Sequence, residues 1–202
     1  MRVAVLVSGT GTNLQALLDE VHGHEGIAIV AVASNRPDAI ALERAAQAGV
    51  AASVFPLEEH SDRDERDAAI ADWLVERGAE LIVLAGYMQL LSPGFLARFP
   101  NRVINVHPAL LPAFPGIHAV EQAVRYGVKV FGVTVHFVDG GVDTGPVILQ
   151  RAIEVTDARD PKQVLELLRP IEHALLTEAV RLIARSAVSF DPANPRRVIV
   201  GR

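Results

Sequence analysis

Cysteine is missing from all 202 residues, and that absence excludes disulfides, thiolate nucleophiles and cysteine-ligated metals in one step. No apolar run approaches the roughly 20 residues that a membrane-spanning helix needs. The first such run, in MRVAVLVSGTGTNLQ, meets Gly9, Gly11 and Asn13 too early to read as a secretory leader. Excess positive charge is lacking too. Lys and Arg number 19 against 24 Asp and Glu, a net charge of −5 with both signs interspersed, so no basic stripe for nucleic acid is expected. Together these absences make the cytoplasm the economical location, with neither a membrane nor a nucleic acid as partner. Internal repeats, low-complexity segments and domain linkers are also missing.

What remains is a chain half hydrophobic in composition, long enough for one domain with a sizeable core. Short apolar runs alternate with helical patterns. RVAVLVS (2–8), IAIVAVAS (27–34), ASVFP, AELIVLAG (79–86) and RVINVH (102–107) read as strands. NLQALLDEV, DAIALERAAQAG and RDERDAAIADWLVERG read as helices between them, with Ile70, Trp73 and Leu74 at helical spacing and Trp73 expected in the core. Strands that are apolar throughout, rather than alternating, belong in a parallel sheet covered on both faces. The class expected is α/β, a Rossmann-like, mostly parallel sheet. From about residue 129 the pattern changes to an antiparallel ribbon, KVFGVTVHFV and GPVILQRAIEV joined by DGGVDT, and then to a helix over about 161–184 kinked at Pro170. The segment 186–202 reads as a peripheral tail.

Three places carry chemistry. SGTGTNLQ (8–15) ends a strand and opens a helix. Its glycines let backbone approach a ligand, and free N–H groups at the helix start favour an anion. Leu14 stands where a dinucleotide fingerprint needs its third glycine, and no Lys makes it a Walker loop. A monophosphate cradle is the functional reading and an ordinary tight turn the plain one. Asn105 and His107 are alternate residues of one strand, so they share a face, and Pro108 ends the strand there. An amide N–H and an imidazole N–H aimed at one point can hold an oxyanion; a polar strand end bonded to its own loop is the plain alternative. The stiff PALLPAFPG that follows suits a site wall, with a cis X-Pro bond among its options. Asp143 sits in a glycine-rich turn, where a carboxylate beside a histidine would fix its tautomer or would simply serve the turn. Its DTG triplet lacks the second carboxylate of an aspartic protease. Of the other histidines, His22 and His24 read as solvated loop residues with weak metal potential, His118 and His173 as structural. His136 faces either the site with Thr134 or the opposite side. GYMQLLSP (86–93) suits either a pocket wall or core packing.

In this order these pieces resemble the phosphoribosylglycinamide formyltransferase family. The resemblance rests on SGTGTNLQAL, SNRPDAIALERAAQAGV, LAGYMQLLSP, INVHPALLPAFPGIHAVEQA, GVTVHFVDGGVDTGPVILQ and EHA, and runs to about residue 185. It implies a single formyltransferase domain over 1–202, with a nucleotide-binding half to about 100, a catalytic and folate-binding half over about 101–185, and the tail. It implies Asn105, His107 and Asp143 as catalytic residues, and Gly11, Thr12, Asn13, Arg169 and Glu172 on the phosphoribosylglycinamide. Arg63, Met88, Gln89, Leu90, Leu91, Asn105, Asp139, Gly140, Gly141 and Val142 are implied on the folate. The co-substrate implied is 10-formyltetrahydrofolate, with no metal, and the expected partners are small molecules. The oligomeric state is not fixed by the sequence, and a homodimer is among the states it allows. Gln89 stands where several relatives carry Arg, Ala109 where Ser is common and Ala113 where a polar residue is frequent.

The expected reaction is direct attack of the glycinamide amine on the formyl carbon, with Asn105 and His107 on the oxyanion and Asp143 supporting His107. The alternatives are a formyltransferase for another amine and a non-catalytic nucleotide-binding module. A tRNA-directed enzyme would bring a further nucleic-acid-binding domain and a formyl-folate hydrolase a regulatory one; neither is read here. A pure binder has no need of an oxyanion-directed pair.

Overall fold

The structure, a computed structural model, describes residues 1–201. Two compact units divide the chain, Met1–Asn105 and a second that begins at Val106. The first contains β1 (Arg2–Val7), α1 (Thr12–Glu20), β2 (Ala28–Ser34), α2 (Ile40–Gln47), β3 (Ala52–Val54), a 3-10 turn (Leu57–Glu59), α3 (Arg63–Glu76), β4 (Leu81–Leu84) and α4 (Pro93–Arg98). Strand β5 (Val103–His107) begins at its end. All pairings of β3 with β2, β2 with β1, β1 with β4 and β4 with β5 are parallel. Val3 to Val7 of the central strand are 0 % exposed, which is why that strand is apolar at every position after Arg2. Each of its Val and Leu side chains contributes about 1.5–3 kcal/mol on burial.

The helices of this unit follow from their ends and faces. Leu14, Leu17 and Leu18 give α1 one buried stripe. Asp62 caps α3 by accepting from the Glu65 N–H, and Glu65 accepts from the Ser61 N–H in return. Ser92 caps α4 ahead of Pro93. Trp73 departs from its expected place in the core. It is half-buried, edge-on to Phe55 at 5.7 Å with the Arg77 guanidinium 4.0 Å over its ring, because Ile70 and Leu74 occupy the inward stripe of α3. His22 is no idle loop residue: its Nδ1 accepts from the Ile29 N–H at 2.9 Å.

The second unit holds α5 (Ala119–Tyr126), β6 (Val130–Phe137), β7 (Val147–Glu154), α6 (Pro161–Ala184), β8 (Val188–Asp191) and β9 (Asn194–Val200). Strands β6 and β7 pair antiparallel from Val130↔Glu154 to His136↔Val147, with a bulge at Val135/His136. Helix α6 runs unbroken through Pro170, capped by Asp160, and buries Val164, Leu168, Leu175, Leu176, Ala179 and Val180. The segment after it is a β8–β9 hairpin. Phe190 packs its ring 4.8 Å from that of Phe137, and Arg196 donates to the Thr144 carbonyl at 2.7 Å. Strand order in the seven-stranded, mostly parallel sheet is β3-β2-β1-β4-β5-β6-β7. The order reverses at β1 and β4, so the ends of those strands flank the switch point where ligands of such sheets bind.

Candidate active site

Ser8, at the end of β1, ties the switch point together. Its hydroxyl donates to Asn35 Oδ1 at 2.6 Å and accepts from the Met88 N–H at 2.9 Å, so one side chain joins the loops after β1, β2 and β4. The turn that follows places Gly11 in the left-handed region (φ 70) as the cap of α1, with no side chain covering the helix start. Asn13 Oδ1 is buried and meets no hydrogen-bond donor among the described residues. The loop after β4 is pinned again where Ser92 N–H donates to Asp67 Oδ2 at 2.6 Å. Asp67 also takes two bonds from Arg66, both residues being 0 % exposed. Held at both ends, the loop presents Met88 and Leu90 to solvent at 64 % and 55 % exposure, so neither is core. Gln89 accepts from Arg66 and, with it, lines a cleft of about 350 Å³ that also includes Asn35, Leu57 and Glu58. Arg63 is exposed beside Asp64.

The second unit gathers a different cluster. Asp143, in the left-handed region at φ 51, lies between two histidines. His107 Nδ1 is 3.3 Å from Asp143 Oδ2 and His136 Nε2 is 3.5 Å from Oδ1. The Gly116 N–H also donates to Oδ2 at 2.7 Å. The other ring nitrogens face backbone carbonyls, His107 Nε2 that of Phe114 and His136 Nδ1 that of Phe137, each at 2.8 Å. Burial pushes the Asp143 carboxyl up, but the bonds from His136 and Gly116 and the charges of both imidazoles outweigh it and hold it at about 2. The loop after β5 carries the cis Leu111–Pro112 bond. Thr134, fully buried on β6, secures it by donating to the Ala109 carbonyl and accepting from the Leu111 N–H. Gln150 donates to the Leu111 carbonyl and to Thr134.

The low Asp143 value has a consequence for stability. Between its ordinary 3.8 and about 2, the unfolded chain binds the proton and the folded chain does not, so stability rises with pH across that window. Asp143 therefore contributes on the order of 2 kcal/mol above about pH 4, lost as pH falls toward 2. Urea midpoints of wild type and Asp143→Asn are expected to converge on acidification; a gap that stays constant from pH 5 to 2 contradicts the assignment.

The remaining candidates are distributed as follows. Asp139 accepts from the Gly141 N–H and the Thr144 hydroxyl, shaping the turn that leaves Val142 exposed. Gly140 lies in that turn. Arg169 is exposed and Glu172 half-buried on α6. Leu91 is half-buried and Asn105 pairs with Leu84 in the sheet. His118 caps α5 in the left-handed region. The described residues contain no group of three or more His, Asp or Glu able to hold a metal ion, and no helix long and apolar enough to cross a membrane. Sequence reasoning left His136 open and missed Ser8, Asp67 and Gly116. The alternation of β6 was the available signal for His136.

A histidine that ends β5 and a carboxylate from the loop after β6 meet on a mostly parallel sheet, and the comparisons name the class of enzyme. The formyl transferase family model matches residues 1–180, and the chain belongs to that family and within it to the phosphoribosylglycinamide formyltransferases. It is 44 % identical to the phosphoribosylglycinamide formyltransferase of Mycobacterium tuberculosis, covering 99 % of this chain and 94 % of that one. Among solved structures, glycinamide ribonucleotide transformylase 1 of Symbiobacterium toebii superposes with a TM-score of 0.95 at 44 % identity, over 100 % of this chain and 94 % of that one. The formyltetrahydrofolate deformylase of Burkholderia mallei superposes with a TM-score of 0.86 at 35 % identity, over 100 % of this chain and 70 % of that one.

Proposed function

We propose that this enzyme transfers the formyl group of 10-formyltetrahydrofolate to the amine of 5'-phosphoribosylglycinamide, a cytoplasmic step of de novo purine biosynthesis. The observation that carries this reading is the 3.3 Å approach of Asp143 to His107, in a chain of this family. The amine attacks the formyl carbon, forming the new C–N bond. The resulting oxyanion is held by Asn105 and by His107 Nε2–H, where the formyl oxygen takes over from the Phe114 carbonyl. Asp143 keeps His107 oriented through the contact at Nδ1. It also orients the water that carries the amine proton to the folate nitrogen as its C–N bond breaks. No covalent intermediate is required.

Gly11, Thr12 and Asn13 take the phosphate and Arg169 and Glu172 the remainder of the nucleotide. Arg63, Met88 to Leu91, Asn105 and Asp139 to Val142 line the folate. With folate release followed by absorbance, phosphoribosylglycinamide is expected to support turnover while methionyl-tRNA and buffer do not; release with either of the latter overturns the assignment. Asn13→Ala is expected to weaken nucleotide binding about tenfold or more, as loss of a bond to a charged group does, with folate binding kept. Calorimetric titration showing the reverse removes Asn13 from the phosphate site.

A further inference from the structure

Helix α2 reaches back through three bonds, two to the turn between β1 and α1 and one to α1 itself. The Ala41 N–H donates to the Gly9 carbonyl at 3.1 Å. Arg44 Nε donates to the Thr10 carbonyl and Nη1 to Gln15 Oε1, each at 2.8 Å. Gly11 lies flush against the same helix: a Cβ there would come within 2.6 Å of Ala41 Cβ. The peptide bonds of this turn are trans, and in a trans peptide the C=O and the following N–H point in opposite directions. Fixing the Gly9 and Thr10 carbonyls onto α2 therefore turns the N–H groups of Thr10 and Gly11 away from it. They extend the set at the start of α1, where the N–H groups of Thr12 and Asn13 have no intrahelical partner. The half-buried guanidinium meanwhile stands one peptide behind these donors and carries a permanent positive charge.

We propose that Arg44 is a positioning residue for the acceptor's phosphate. It orients the Thr10–Gly11 peptide so that its N–H faces the ligand, while Gln15 holds the guanidinium in plane. This inference rests on the phosphate assignment made above. A lysine keeps the charge but has no planar fork to span the Thr10 carbonyl and Gln15 together, so charge and orientation separate by substitution.

The test uses the full chain and steady-state kinetics with ribose 5-phosphate as competitor. Arg44→Met is expected to raise KM for phosphoribosylglycinamide about tenfold or more and to raise the ribose 5-phosphate inhibition constant by the same factor. Saturated kcat and the folate KM stay within about twofold of wild type. Arg44→Lys recovers part of the loss, and Gln15→Ala shows a smaller increase of the same kind. If Arg44→Met does not fold, the other two variants carry the test. Wild type competed by ribose 5-phosphate, with the variants showing an unchanged inhibition constant, overturns the role of Arg44 and leaves the phosphate loop standing. A fall in kcat at unchanged KM also overturns it. A wild type that ribose 5-phosphate does not compete against overturns the phosphate assignment itself, and this inference with it.

Discussion

Replacing Asp143 by asparagine is expected to lower kcat by about 10²–10⁴-fold, the range of a positioned acid–base group, while KM for the amine substrate stays within about threefold. Asparagine is nearly the same size, so the loop and its bond from Gly116 can persist. What disappears is the negative charge between His107 and His136. An amide lacks the charge that the carboxylate sets beside the two imidazoles, and it does not hold a proton-carrying water in the same way. His107→Ala is expected to fall in the same range through loss of an oxyanion donor. Near-normal kcat in Asp143→Asn would remove the carboxylate from the chemistry and leave the cluster a structural feature.

The second large effect concerns stability. Asp67→Ala is expected to cost about 3–5 kcal/mol, because it strands a fully buried guanidinium without its counter-ion. The same change leaves the Ser92 N–H without its acceptor and frees one end of the loop that displays Met88 to Leu91. The double variant Arg66→Leu/Asp67→Ala is expected to recover at least half of the loss, since a buried pair replaced by apolar groups is often neutral. Urea unfolding of the two variants and of wild type decides it. A single-variant cost below about 1 kcal/mol contradicts the picture of a desolvated pair, for that is the worth of an exposed one.

That pair also shows where the sequence was hard to read. RDERD looks like a solvated charged face, and nothing local marks two of its five residues as buried. The helical period does: Arg66 precedes Ile70 and Leu74, and Asp67 precedes Ala71 and Leu74, on the inward stripe. The strands were legible because β1, β2 and β4 are apolar without interruption, and the β6–β7 ribbon because its turn is rich in glycine. Asn105 and His107 were legible as a same-face pair from the period of two alone. That Asp143 meets His107 was implied by the family resemblance and not by spacing, because contacts between distant segments leave no periodic trace. His136 stayed undecided because alternation names a face without saying what lies on it. The β8–β9 hairpin escaped because prolines and arginines in SFDPANPRRVIV obscure its alternation; pairing and the Phe190–Phe137 contact hold it instead.

Direct transfer, rather than hydrolysis of the formyl-folate, is the central chemical claim, and the likeness to a deformylase makes the distinction worth measuring. The measurement is the mass balance of a carbon-13-labelled formyl group, with rapid quench and mass spectrometry of the amine, formate and folate. Direct attack by the amine gives one formylated phosphoribosylglycinamide for each tetrahydrofolate released, and no labelled formate above the blank when the acceptor is omitted. Labelled formate released in step with tetrahydrofolate, whether or not the acceptor is present, would contradict it.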